Sequence, residues 1–428
     1  MILSCLLSLF TFYPGHMSND SLEQFAQAIS GSFTLWHPPI MSFLWSFLFP
    51  STLGPLPLLV LQIIIFVSSF MFIACYVTKR TTTRIVIFSS LFLFPAIFVQ
   101  PGMIWKDVQM SAALLLATAL LMAQERQQRI NVKILILVIL ALFYATSVRL
   151  NGFLAIVPLL LWQCVLCFPA ERRPMQWYYW CVFPLVCGCL FMASMIVTNA
   201  LVSEPSPPPS QQIKIHDLAA LSLASQSMLL PVSVQKMPLT IPLLGKLYSP
   251  SSNNPLIFGQ YIQLLTDNQA LDDLDSTWKQ AVAQYPLQYL SHRKSFFRSL
   301  LSYRTPTVCY PWHEGIDKNN FGLNVTNNPV AVSVLAFLAS LKNSFFFRGW
   351  LYLLLCAVLC IVQGTVSLWR RQIRGSFCLS LSGLCYGLPY FFVGTSCDFR
   401  YLYWVVIASL LSLVLFLFEQ SSERLEAP

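Results

Sequence analysis

Residues 55–80 read PLPLLVLQIIIFVSSFMFIACYVTKR, an apolar run without a charge until it closes on Lys79 and Arg80. About 20 such residues in helical form cross the ~30 Å hydrocarbon layer of a bilayer. Cations packed at one end mark the cytoplasmic side. The pattern recurs at 2–13, 85–99, 108–123, 134–148, 153–168, 178–201, 350–369, 376–396 and 401–418. Composition agrees: 56% of the 428 residues are hydrophobic, 14% aromatic and only 10% charged. Soluble domains carry about a quarter charged residues, so a soluble protein is excluded, as are collagen, coiled coil and disordered polymer.

The net charge of +9 is topological in origin. The basic residues cluster between runs, as Lys79, Arg80 and Arg84; Arg126, Arg129 and Lys133; Arg172 and Arg173; and Arg370, Arg371 and Arg374. Placing all four clusters inside gives ten spans with both termini in the cytoplasm, and it leaves no case for a nucleic-acid partner. The fold expected is therefore an all-α polytopic membrane protein of about ten transmembrane helices, N-in and C-in. Residues 1–202 would hold seven spans and a first outer loop at 14–54, with interfacial helices. Residues 203–349 form an extracytoplasmic segment, mostly helical, and 350–428 hold three spans and a short cytoplasmic tail. The first run is short and lacks a preceding basic residue, so it reads as the outer part of a longer helix.

The outer segment opens with the Pro-rich stretch 203–210, an extended linker. Helices are expected at 216–230 and 276–302, the second kinked at Pro286. The stretch 330–341 is too short to span and reads as interfacial. Most of the 13 cysteines sit in apolar runs as small hydrophobes, including the lone Cys164/Cys167 pair. Only Cys309 and Cys397 reach the outer side, where at most one bridge forms.

The ionisable residues collect at the outer ends of the runs: Asp20 and Glu23, Lys106 and Asp107, Arg149, Asp398 and Arg400. Outer loops normally avoid cations, so Lys106, Arg149 and Arg400 mark a site for an anionic ligand with a lipid tail. Asp20 opens an amphipathic helix with Leu22, Phe25, Ala26 and Ile29 on one face. There Asp20 can serve as N-cap, with Glu23 closing a capping box. His37 is fixed between Trp36 and Pro38–Pro39, ahead of an apolar helix. Asp107 is placed to cap a helix or pair with Lys106. Asn151 and Gly152 make the turn that presents Arg149, whose planar fork fits phosphate oxygens. Asp398 and Arg400 are close enough to pair within their loop. No nucleotide-binding, metalloprotease or serine-hydrolase motif occurs, and the histidines are too scattered to argue a metal site. Asn19 and Asn324 head glycosylation sequons.

These residues resemble the C-type (GT-C) membrane glycosyltransferases of bacterial type, which use polyprenyl-phosphate sugars. The likeness rests on Tyr13-Pro-Gly15 and Ser18-Asn-Asp20-Ser-Leu-Glu23 before Trp36-His-Pro-Pro39, on Trp105-Lys-Asp107, on Arg149-Leu-Asn151-Gly152 and on Asp398-Phe-Arg400-Tyr401. Trp278 to Pro286 with Tyr289 to Arg293 is similar to the outer-domain helices of bacterial members. The resemblance implies that Asp20 is the first-loop catalytic carboxylate, acting as base or positioning the acceptor, with Asp107 the second acidic residue. Lys106, Arg149 and Arg400 would bind the departing phosphate, while Glu23, His37, Asn151 and Asp398 complete the substrate site. A divalent metal ion bridging Asp20 and Asp107 to phosphate fits that picture, although no residue spacing calls for one. The expected activity is sugar transfer from a polyprenyl-phosphate carrier to a lipid, glycan or protein acceptor at the outer face of the plasma (inner) membrane. The main rival is a transporter or lipid flippase. Coupled transport places ionisable groups at mid-membrane, where this chain has none. An inactive assembly factor is a third reading, and it would tolerate loss of the charged residues.

Overall fold

The apolar runs are helical, those at 85–99 and 376–396 each in two pieces. The computed structural model describes residues 1–127, 130–167, 176–326, 328–370 and 373–426. Arg129, Arg172, Arg173 and Arg371 lie outside the described residues. Six helices are long and apolar enough to cross a membrane: Leu56–Val77, Lys106–Gln127, Cys181–Leu201, Gly349–Ser367, Gly375–Val393 and Phe399–Gln420. A seventh arises if Thr81–Phe92 and Pro95–Gly102, bent by 67°, are counted as one span. The remaining apolar helices, Ile2–Phe12, Val132–Val148, Gly152–Cys167 and Pro329–Ser340, are shorter. Among the described residues there is no β-ladder, only isolated bridges.

The helix Leu56–Val77 shows how sequence sets packing. Leu59, Ile63, Phe66, Phe70 and Ile73 follow helical spacing and are buried, while Ile64 and Phe72 face outward. Gln62 lies on the buried side, and its amide donates to the carbonyls of Pro101 and Met103 at 2.6 and 3.1 Å. It also accepts from Gln109 at 2.6 Å. Pro95 and Pro101 break the neighbouring run, which frees backbone carbonyls in an apolar setting. Gln62 supplies the missing donors, so the broken segment delivers residues 103–107 to a fixed place. The helix Lys106–Gln127 that follows is buried on nearly every side.

The segment 203–349 has its own core of Ile215, Leu218, Leu221, Leu244, Leu256, Ile262 and Leu274. Its first helix is Gln211–Ser225 rather than 216–230. Pro207–Pro209 hold the chain extended only up to Ser210, and Gln226 ends the helix in the left-handed region at φ 55°. The expected kinked helix is two, Asn268–Gln284 and Pro286–Leu300, divided at Tyr285. The linker is pinned: Phe33 N–H donates to Ser203 Oγ at 2.8 Å and Leu35 N–H to Ser206 Oγ at 3.0 Å. Cys309 and Cys397 form a disulfide.

Candidate functional site

Three distant segments are laced together by backbone hydrogen bonds. His16 N–H donates to Gly102 O, and Ile104 N–H donates to His16 O, each at 2.9 Å. Met17 N–H donates to Gly315 O, and Asp317 N–H returns to Met17 O, again at 2.9 Å. Ser21 Oγ donates to Ile104 O at 2.6 Å, and Trp105 Nε1 donates to Ser18 Oγ at 2.9 Å. The start of the helix Asn19–Ser30 is thereby held against residues 104–107.

Asp20 is not the cap of that helix. Ser18 occupies the N-cap, the Asn19 N–H is taken by Asp317 Oδ2 at 2.9 Å, and Glu23 closes no capping box. The amphipathic face also differs from the expected one. Leu22, Phe25 and Ala28 are buried, with Phe25 against Trp45 and Phe321, while Ile29 is exposed. Freed from capping, Asp20 reaches Arg400 at 2.8 Å.

Arg400 is the hub. Its guanidinium touches Asp20, lies 3.0 Å from Asp398 and 3.9 Å from Asp107, and stacks over Trp105 with 4.6 Å to the ring centre. Asp107 is fully buried and pairs with Arg149 at 2.7 Å, not with Lys106. Arg149 also donates to Asn151 Oδ1 at 3.0 Å and lies over Tyr401 at 4.7 Å and Tyr390 at 5.9 Å. Lys106 instead donates to His37 Nδ1 at 3.0 Å, which leaves His37 Nε2–H to donate to Glu23 at 3.2 Å. All nine expected residues thus fall into one network of four carboxylates, three cations, one imidazole and one amide. Gly152 serves close approach: a Cβ there would meet Ala145 O at 2.8 Å and Met110 Sδ at 3.0 Å.

Burial works against charge on the Asp20 carboxylate, but Arg400, with Lys106, outweighs it and holds Asp20 well below the usual range. Burial, aided by the charge of Lys106, lowers His37 and keeps it neutral at pH 7. Asp398 is raised by burial, which Arg400 offsets only in part.

Among the described residues, no group of His, Cys, Asp and Glu is placed to hold a metal ion. The guanidinium of Arg400 faces both Asp20 and Asp107, where a bridging cation would have to sit. These residues therefore fit an organic cation hub better than a divalent ion. A cavity of about 430 Å³ lies at Thr11, Tyr13, His16, Glu314 and Ala331, and none of the nine residues lines it.

Sequence reasoning missed the aromatic platforms Tyr390 and Tyr401, a row formed by Tyr310, His313 and Asp317, and a buried pair, Asp217 and Arg293. Asp217 and Arg293 lie 2.7 Å apart with both side chains fully buried, and Arg293 also donates to Gly394 O at 2.8 Å. The signal for the row was Cys309, whose bridge to Cys397 sets Tyr310 beside the Asp398–Arg400 turn. There Phe399 N–H donates to Tyr310 O at 3.2 Å. No protein-family model, curated protein or solved structure matches the chain.

Proposed function

We propose that this multi-pass membrane protein is a glycosyltransferase of the C type. It moves a sugar from a polyprenyl-phosphate carrier to a lipid, glycan or protein acceptor at the outer face of the plasma membrane. The observation that carries the reading is the convergence of Arg149, Arg400 and Lys106 with Asp20 and Asp107 at the outer ends of the apolar helices. The reading includes ten spans with both termini inside, which sets all these residues on one side.

In this reading, the carrier's phosphate takes Arg400 and Arg149 as a two-armed clamp, with the aromatic rings as their backing. Planar, bidentate recognition of phosphate is what guanidinium groups do best. Phosphate binding displaces Asp20 from Arg400, so the Asp20 carboxylate becomes available to orient an acceptor hydroxyl only when donor is present. Asp107 acts through Arg149, because its own side chain is closed to substrate. Positioning and stabilisation of the departing phosphate supply the rate.

The test is transfer by purified protein in lipid nanodiscs, with radiolabelled polyprenyl-phosphate hexoses and pentoses as donors and a membrane lipid extract as acceptor. Incorporation of label that is lost in Asp20→Asn and Arg149→Ala supports the reading. Movement of labelled lipid across proteoliposomes without sugar transfer would establish the transporter instead.

A further inference from the structure

Neither Asp20 nor Asp107 is a good destination for the proton released by the acceptor. Asp20 sits beside the cations Arg400 and Lys106, which makes it a weak base, and Asp107 is enclosed. Tyr310, His313 and Asp317 form a separate row beside them. The Tyr310 hydroxyl is hydrogen-bonded to His313 Nδ1. His313 Nε2 is buried without a hydrogen-bond partner among the described residues and lies 3.6 Å from Asp317 Oδ1, near enough for electrostatic attraction. A carboxylate at that position favours the proton on Nε2, leaving Nδ1 to accept from the tyrosine. Both Trp105, the platform under Arg400, and Tyr310 pack against the His313 ring, with centroids 6.3 and 6.2 Å away. Tyr310 stands at φ 40°, an uncommon backbone state for an aromatic residue, and it is 43% exposed while His313 is buried. Its hydroxyl lies within electrostatic range of Asp398, Arg400 and Asp20.

We propose that Tyr310 is the catalytic base of the transfer, with His313 and Asp317 as positioning residues that take up its proton. This deepens the transferase reading and rests on it. As the acceptor oxygen bonds to the anomeric carbon, its proton passes to Tyr310 Oη, and the tyrosine's own proton passes to His313 Nδ1. The bond from the anomeric carbon to phosphate oxygen breaks, and its electron pair leaves on the polyprenyl phosphate, held by Arg149 and Arg400. The imidazolium faces Asp317, whose side chain is 37% exposed and opens a route for the proton to water.

His313 must be neutral to accept, and burial lowers its pKa from the ordinary value. The groups facing it are Tyr310, Glu314 and Asp317 on its own segment, His16 from the first loop and Arg400 from the turn. Activity should therefore fall with acidity below the His313 pKa and stay level above it.

The experiment measures transfer from pH 4.5 to 9 for wild type, Tyr310→Phe, His313→Gln and Asp317→Asn, with the radiolabelled donors and lipid extract described above. Unfolding midpoints serve as the control for folding. Tyr310→Phe and His313→Gln should each lose roughly 10²–10⁴ in kcat with little change in donor KM, and His313→Gln should lose the acidic limb. Asp317→Asn should shift that limb to lower pH. Wild-type transfer with Tyr310→Phe within threefold of it overturns the relay and leaves the transferase reading standing. A loss that is confined to KM, or that follows a collapsed midpoint while His313→Gln keeps the acidic limb, also overturns it. Absence of transfer in wild type overturns both.

Discussion

The guanidinium of Arg400 lies 2.8 Å from the carboxylate of Asp20, across 380 residues of sequence. This contact joins the loop after the first apolar helix to the turn before the last one, and Asp398 and Asp107 converge on the same group. Arg400 therefore neutralises three carboxylates that would otherwise repel each other in a poorly solvated place.

Replacing Arg400 by Gln leaves those carboxylates facing one another. Losing one partner of a buried pair costs about 3–5 kcal/mol, so the unfolding midpoint in detergent should drop clearly. Adding Asp20→Asn should restore part of the midpoint but none of the sugar transfer, because the phosphate clamp is still missing an arm. Stability losses that simply add in the double variant would show that the two residues do not interact.

Asp107 and Arg149 should behave as a unit. Asp107→Asn and Arg149→Gln each break the 2.7 Å pair, so the second substitution has little left to remove. A double-mutant cycle on the unfolding free energy should give a coupling of about 1–3 kcal/mol. Donor KM should rise similarly in both single variants. A strong effect of Arg149→Gln beside a silent Asp107→Asn would remove Asp107 from its positioning role.

Acid should destabilise the protein through its buried histidines as pH falls below about 6.5. His16 and His216 are fully enclosed, and burial lowers both to about 4, below the ordinary value near 6.5. His37 is shifted the same way. For a base whose folded pKa is lowered, the unfolded chain takes the proton first, so stability is complete above about pH 6.5 and is lost as pH falls toward 4. Each of His16 and His216 contributes on the order of 3 kcal/mol to that loss. Asp20, shifted downward, keeps its pairing through this window and lets go only below the usual carboxylate range. Unfolding midpoints between pH 7 and 4 should fall, and His216→Gln should flatten the slope. A midpoint independent of pH there would contradict the burial of these rings.

The helices and the membership of the charged cluster were legible in the sequence, for a physical reason. Hydrocarbon tolerates few charges, so cations that persist at outer helix ends stand out against their surroundings. The pairing was not legible. Lys106 and Asp107 are neighbours in sequence, yet the helix they begin turns one toward His37 and the other toward Arg149. Nor could Asp20 be assigned a partner, since capping requires only local residues whereas Arg400 arrives from the far end of the chain. The segment 203–349 hid more, because Asp217 and Arg293 look like ordinary surface charges until Trp278 and His292 are folded around them.

That outer pair bears on the site through the turn 394–400. Arg293 donates to Gly394 O at 2.8 Å, Asn253 N–H donates to Thr395 O at 2.9 Å, and Cys397 N–H donates to Ser251 O at 3.0 Å. The disulfide to Cys309 adds a covalent hold one residue before Asp398. Gly394 admits no side chain, since a Cβ there would lie 2.2 Å from the Phe296 ring. Arg293→Lys keeps the charge but cannot reach Asp217 and Gly394 together, so it should raise donor KM more than it lowers the unfolding midpoint. The pair Cys309→Ser and Cys397→Ser removes a crosslink between residues 88 apart. Its loss should cost about 4.6 kcal/mol if chain entropy governs. It should also weaken transfer, because Asp398 and Arg400 then ride on a turn held by hydrogen bonds alone. Unfolding midpoints measured with and without dithiothreitol provide the check. If reduction leaves both midpoint and KM unchanged, the hydrogen bonds of Arg293, Asn253 and Cys397 set the turn without the crosslink.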